Sequence, residues 1–149
     1  MNDKLILAID QGTTGTTALL IDQQLKIVAK ANREFPQIYP QPGWVEHNPA
    51  DIWQSTEDSV AAVLAATAGA AERIAAIGIT NQRETTVVWE RATGEAIHNA
   101  IVWQCRRTAD RCAALRDAGH ADDIRARTGL VVDAYFSGTK AAWILDNVD

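Results

Sequence analysis

Asp10, Gly12, Thr13, Thr14, Gly15 and Thr17 crowd together inside the stretch Lys4–Asp22, KLILAIDQGTTGTTALLID. An ionised carboxylate only accepts hydrogen bonds, and Asp10 suits a hydrated Mg²⁺. Thr13, Thr14, Thr16 and Thr17 add hydroxyl donors at the same place. Gly12 and Gly15 permit backbone angles that let consecutive amides aim at one ligand. The chemistry that fits is a phosphate grip with a metal-directing carboxylate beside it. The same residues also read as a plain hairpin with a threonine-rich turn, and the local pattern does not choose. The flanking apolar runs, Leu5–Ile9 and Ala18–Ile21, predict two adjacent strands joined by that turn. Neither G-x-x-x-x-G-K-[ST] nor a strand–helix G-x-G-x-x-G occurs, so a nucleotide would be held by a hairpin and not by a helix N-terminus.

A second polar constellation is Thr80–Thr85, TNQRET. Arg83 offers a rigid fork of donors and Glu84 an anionic acceptor. A vicinal diol or triol needs that mixture, because each hydroxyl both donates and accepts. Such sites discriminate well, since a ligand lacking one hydroxyl leaves buried polar groups unpaired. An Arg–Glu pair on a solvated loop is the competing reading, and neighbours on a strand point to opposite faces. Trp103, Tyr135 and Phe136 come from separate segments with polar neighbours. Aromatic rings can cover the C–H face of a polyol, although most aromatics are simply core.

The elements that must hold these groups follow from pattern. Lys26–Phe35 predicts a third antiparallel strand. Pro36, Pro40 and Pro42 rule out a regular element before Gly43, and Trp44 is placed to anchor the loop. Asn48–Pro49–Ala50–Asp51 starts a helix expected to run to about Ala68, its second half small and apolar. Ile74–Thr80 predicts a buried strand, with further strands at Thr85–Trp89 and Ala100–Trp103 separated by a turn at Arg91–Glu95. Helices are expected over Arg106–Ala118, stopped by Gly119, over ADDIRARTG and over Gly138–Val148. Strands first, then alternating helix and strand, give an α/β class: a mixed sheet with three leading antiparallel strands, later strands added in parallel, and flanking helices.

Composition narrows the function. The chain has 149 residues, nearly half of them apolar, and a formal charge of −5. That length supports a real core, and the charge argues against a nucleic-acid surface. No apolar run approaches the ~20 residues a membrane span needs. The N-terminus carries no secretion signal, so a cytoplasmic location is expected. Cys105 and Cys112, on one helix, would lie about 10 Å apart along its axis, too far for a disulfide.

The segments AIDQGTTGTTALLID, GWVEHNPADIW, GITNQRETTVVWE, HNAIVWQCRRTAD and TGLVVDAYFSGTKAAWILDN closely resemble the glycerol-kinase branch of the FGGY carbohydrate kinases. They span almost the whole chain in family order. The hairpin type is shared with actin-like and heat-shock ATPases, whereas NQRET, IVWQCRR and YFSGTK are specific to that branch. The resemblance implies a ribonuclease-H-like (actin-like ATPase) domain, here incomplete. By motif matching, Asp10 directs Mg²⁺, and Gly12, Thr13, Thr14, Gly15 and Thr17 surround the phosphates of ATP. Arg83 and Glu84 then bond glycerol hydroxyls, Trp103 lines the carbon backbone and Tyr135 adds a hydroxyl contact.

Three departures stand out. Many members continue the hairpin as Ser-Ser-Arg where this chain has Gly15, Thr16 and Thr17, so hydroxyls replace a guanidinium. Many have proline where this chain has Ala134, a change expected to loosen the hold on Tyr135. Members are also much longer, with two domains over a cleft, and their aspartate base is expected beyond Asp149. Residues 1–149 thus read as the N-terminal FGGY domain, without the second domain and inactive alone. An apolar patch is expected on the Ala-rich helix and last strands. A kinase for another sugar or polyol and a non-catalytic ligand-binding module are the alternatives. Whether the full-length enzyme is a homo-oligomer stays open.

Overall fold

The computed structural model describes residues 3–148. In chain order the elements are β1 (Leu5–Gln11), β2 (Gly15–Ile21), β3 (Ile27–Glu34), β4 (Glu46–His47), α1 (Pro49–Ala65), α2 (Ala70–Arg73), β5 (Ile74–Thr80), β6 (Ala100–Ile101), α3 (Ala109–Asp117), α4 (Ala121–Thr128) and α5 (Ser137–Asn147). They form two compact units. One comprises the chain up to Pro36 and Ala50–Gln82, the other Gln37–Pro49 and everything from Arg83 onward.

In the first unit, two-residue alternation decides which side of the sheet is core. Leu5 and Leu7 of β1 and Ala18 and Leu20 of β2 are buried, and Val63 of α1 and Ala70 of α2 close over them. The sheet order is β3-β2-β1-β5: β1, β2 and β3 pair antiparallel in sequence, and β5 joins parallel to β1. The mixed sheet expected from the pattern is present. The buried face of α1 carries two serines, Ser55 and Ser59, beside Val63. The helix stops at Ala65 and not at Ala68. Thr67 N–H bonds Leu64 O in a tighter turn, Gly69 takes φ +63°, and α2 follows at once.

β5 corrects a second expectation. Its apolar, β-branched sequence marks a strand, but it lies at the sheet edge and is exposed, Ile77 at 58% and Ile79 at 73%. Composition reports strand propensity. Burial depends on neighbours, and among the described residues none pairs with the outer edge of β5.

The second unit has its own small sheet, in which β4 pairs antiparallel with β6, Glu46 opposite Ile101 and His47 opposite Ala100. Two expected strands shrink here. Over Thr85–Trp89 there are only isolated bridges, because the partner changes midway: Thr86 exchanges both backbone bonds with Ile101, while Trp89 pairs with Ala96 around the turn at Gly94. Ala100–Trp103 keeps only its first two residues as strand, turns where Cys105 N–H bonds Val102 O, and joins no parallel sheet. Ile101, Cys105 and Ile144 are the buried centre, with Trp44, Val45, Val88 and Trp143 against them. Trp44 does anchor its loop: its ring meets Trp143 edge-on at 5.3 Å, and the Arg107 guanidinium lies over both rings at 4.0 and 4.5 Å. Arg107 also pairs with Glu46 at 2.5 Å. Both cysteines are free and buried, with Cys112 on α3 and Cys105 in the turn ahead of it, so they do not share one helix as expected. No described helix is long and apolar enough to cross a membrane.

Candidate functional site

The site residues fall in two groups, one per unit. In the first, β1 and β2 present the turn at residues 12–14. Gly12 N–H donates to Gly15 O at 3.0 Å and closes it. The glycines are needed for space and not for the backbone angles the sequence suggested, since neither has a positive φ. A Cβ on Gly15 would lie 2.6 Å from Arg33 O and 3.0 Å from Glu34 Cα, and one on Gly12 would lie 3.1 Å from Gly15 O. Thr16 is fully buried against α1. Ser55 donates to Ile52 O, so it accepts from the buried Thr16 hydroxyl at 2.8 Å, and Ser59 Oγ donates to Thr16 O at 2.9 Å. These bonds are why α1 carries buried serines: it fixes the hairpin from behind.

Thr17 faces the other side. Cross-strand register sets Asn32, Thr17, Asp10 and Thr80 in one row on the sheet face away from the buried leucines. Asn32 Nδ2 donates to Thr17 Oγ1 at 2.9 Å, which leaves the Thr17 proton to bond an anionic oxygen. Asp10, Thr17 and Thr80 line a shallow hollow of about 290 Å³ with Ala8, Leu19 and Gly78. Asp10 is exposed, Thr13 half-buried and Thr14 exposed. The donor set suits Mg²⁺, which keeps most of its waters and takes one or two carboxylates plus phosphate oxygens. Among the described residues no cluster of three His, Cys, Asp or Glu offers a closed cage. The sequence reading missed the amides behind the turn: Gln82 Nε2 donates to Gln11 Oε1 at 3.0 Å, and Gln11 Nε2 to Gly12 O at 2.8 Å.

In the second unit, Arg83 stands in a bend at φ +60°, a conformation uncommon for a non-glycine residue. Strand alternation therefore does not govern residues 83 and 84. Glu84 is half-buried, and its Oε2 accepts from Ser137 N–H at 3.0 Å and Ser137 Oγ at 2.8 Å. A carboxylate is thus seated on the first turn of α5, where unpaired amides and the helix dipole favour it. Both bonds use one oxygen, so acceptor capacity remains at the other. The backbone carbonyls of Glu84, at 2.8 Å, and of Tyr135 both accept from the Nζ of Lys140, which is fully buried. Tyr135 meets Trp103 edge-on at 5.8 Å and Phe136 at 5.0 Å.

The unit thus brings Glu84, Tyr135 and Trp103 into one connected set, whereas the Arg83 side chain is exposed and outside it. Ala134, which stands where many members of the resembled family have proline, is buried. The turn is held instead by Asp133 Oδ1, which accepts from Tyr135 N–H at 2.8 Å. The Arg106 guanidinium bonded to Asp133 holds its carboxyl below the usual carboxylate range, assisted by that amide. On the other flank of Glu84 lies a cavity of about 530 Å³, mostly apolar, to which neither Trp103 nor Tyr135 contributes.

Three antiparallel strands, a parallel fourth, helices on the core face and a glycine/threonine hairpin define the actin-like ATPase architecture of sugar kinases. The chain belongs to the FGGY family of carbohydrate kinases: the model of that family's N-terminal domain matches residues 5–149. It is 60% identical over 148 residues to a glycerol kinase of Symbiobacterium thermophilum, covering 99% of this chain and 30% of that protein. Among solved structures it resembles the Plasmodium falciparum glycerol kinase with ADP at a TM-score of 0.84 and 33% identity, covering 97% and 29% of the two chains. It also resembles a xylulose kinase from Rhodospirillum rubrum at 0.89 and 27%, covering 97% and 30%. The chain spans about 30% of the length of the curated relatives it matches.

Proposed function

We propose that residues 1–149 are the N-terminal FGGY domain of an ATP-dependent glycerol kinase, which moves the γ-phosphoryl group of ATP to a terminal hydroxyl of glycerol and yields sn-glycerol 3-phosphate and ADP. The observation that carries this reading is the convergence of Glu84, Tyr135 and Trp103. An anionic acceptor and a phenol for hydroxyls, beside a ring for carbon, match a short polyol. The relatives named glycerol kinase support it. Gly12, Thr13, Thr14, Gly15 and Thr17 would receive the phosphates, and Asp10 would hold Mg²⁺, which neutralises charge on the transferring group. The protein's share in such a transfer is alignment and fixed dipoles, so a hairpin braced by Thr16, Ser55 and Ser59 suits the task. Glu84 and Tyr135 would orient the accepting hydroxyl, with Arg83 reaching in from the loop. A kinase drawing on ATP would work in the cytoplasm.

The test is a chimaera in which this chain replaces the matching N-terminal 30% of the Symbiobacterium thermophilum kinase. Glycerol-dependent ADP release by the chimaera, with none from the chain alone, is the expected result. Turnover of xylulose in preference to glycerol would move the reading to a pentulose kinase, the activity named for the similar Rhodospirillum rubrum protein.

A further inference from the structure

The polyol residues reach their places through a helix that the kinase reading does not use. Ser137 opens α5 and Lys140 follows one turn later, and each bonds the segment that carries Glu84. Ser137 takes one carboxylate oxygen of Glu84 with both its amide and its hydroxyl. Lys140 ties the Glu84 and Tyr135 carbonyls, which are 51 residues apart in sequence, to one nitrogen. We propose that Ser137 and Lys140 are the positioning residues of the polyol site: together they clamp Glu84 against Tyr135, so that the remaining oxygen of Glu84 and the Tyr135 ring meet the same ligand. This rests on the polyol reading of Glu84 and Tyr135.

Burial is the second support. Lys140 is wholly enclosed, and desolvation pulls its amine down to about 8, with Glu84 opposing that shift. An enclosed ammonium is a costly way to fill a core position that an aliphatic side chain could fill, unless its donors are needed. Among the described residues its bonds go to the polyol segments, at the Glu84 and Tyr135 carbonyls. Glu84 likewise gives one oxygen to the helix, so on this reading a single carboxylate both caps α5 and, through its other oxygen, serves the ligand.

The experiment uses the 149-residue chain labelled with 5-fluorotryptophan, in dilute solution. The Trp103 fluorine resonance, assigned with Trp103→Phe, is followed against glycerol and against propane-1,2-diol, which lacks one terminal hydroxyl. Hydrogen exchange of the segments around 84 and 135 reports the clamp without ligand. In the unaltered chain the clamp segments are expected to be protected, and glycerol to bind more tightly than the diol. Lys140→Met and Ser137→Ala should lower glycerol affinity about tenfold while leaving diol affinity nearly unchanged, so the preference collapses. Ser137→Thr, which keeps the hydroxyl, should retain it. A merely structural role would weaken both ligands alike. Ser137→Ala keeps the test open if Lys140→Met fails to fold. Variants that lose protection around 84 and 135 yet keep the wild-type preference overturn the positioning role alone. A wild-type chain that responds to neither ligand overturns the polyol reading itself, and this inference with it.

Discussion

At the scale of single residues, Glu84 caps α5 and is also the proposed ligand contact, and that changes what its replacement should do. Removing the carboxylate outright strips the α5 cap as well as the proposed ligand contact. Glu84→Gln separates the two, because a neutral amide oxygen can still accept from Ser137 while the ionised acceptor is lost. In the chimaera, Glu84→Gln should raise the glycerol KM roughly ten- to a hundredfold, the equivalent of about 1.5–3 kcal/mol for a bond to a charged group. The ATP KM and the melting temperature should hardly move. Steady-state kinetics with each substrate varied in turn, beside a thermal melt, read both. An unchanged glycerol KM would leave Glu84 as a helix cap only. Gly15 offers a second contrast. Its Cβ would meet Arg33 O at 2.6 Å, backbone against backbone, whereas the Cβ of Gly12 meets Gly15 O at 3.1 Å, within the turn itself. Gly15→Ala should therefore destabilise by about 1–3 kcal/mol, and Gly12→Ala by clearly less; denaturant melts of the two variants decide. Residue types made Asp10, Thr17, Glu84 and Tyr135 legible as candidates. Lys140 and Ser137 were not, since a lysine and a serine in YFSGTK read as surface. The signal present was spacing: Lys140 lies four residues before Ile144, which puts it on the buried face of α5.

At the scale of elements, the two-residue strand β4 contributes to the acid sensitivity of its unit. His47 is buried, its Nε2 lies 2.6 Å from Gln37 Oε1, and desolvation lowers its pKa from 6.5 to about 4. A base whose folded pKa lies below its unfolded value stabilises the fold fully above pH 6.5, and that stability is lost as pH falls towards 4. Glu46 next to it acts in the same direction further down. Burial alone would raise its pKa, but bonds from Asn99 and Arg107 outweigh that and hold it below 4.5, so its share disappears in stronger acid. Melts at pH 7 and pH 5 should show a loss approaching about 1.4 kcal/mol per pH unit, which His47→Gln should largely remove. A variant with the same pH slope as the parent would count against His47. Elements with local signals were readable in advance: the hairpin, the helix start at Pro49 and the stop at Gly119, which has a positive φ. The strands expected at Thr85–Trp89 and Ala100–Trp103 were not, because apolar β-branched runs signal extended backbone without naming a partner. There Thr86 and Trp89 bridge to different segments, so no continuous ladder forms.

At the scale of the whole molecule, the same distinction between propensity and partnership falls on β5. The four-stranded sheet is bounded on one side by β3, whose residues include Lys30, Arg33 and Glu34, the charges that commonly discourage pairing at an edge. The other boundary, β5, reads IAAIGIT and has no charge at all. Ile77 and Ile79 are 58% and 73% exposed there, and among the described residues no strand takes up the outer hydrogen-bonding edge. An uncharged apolar edge is a template for another strand, and a second copy of the chain carries the same one. Light scattering should therefore give an apparent mass that rises with concentration above the 16.2 kDa of one chain. Ile79→Lys and Ile77→Lys place a charge where the side chain is already solvated, so each should alter stability by no more than about 0.5 kcal/mol while suppressing the association. Lysine at Val63, under the sheet, would instead unfold the unit and is the wrong control. A parent chain that stays at 16.2 kDa across the range, or lysine variants that associate as strongly as the parent, would show that the β5 edge is not what the copies recognise.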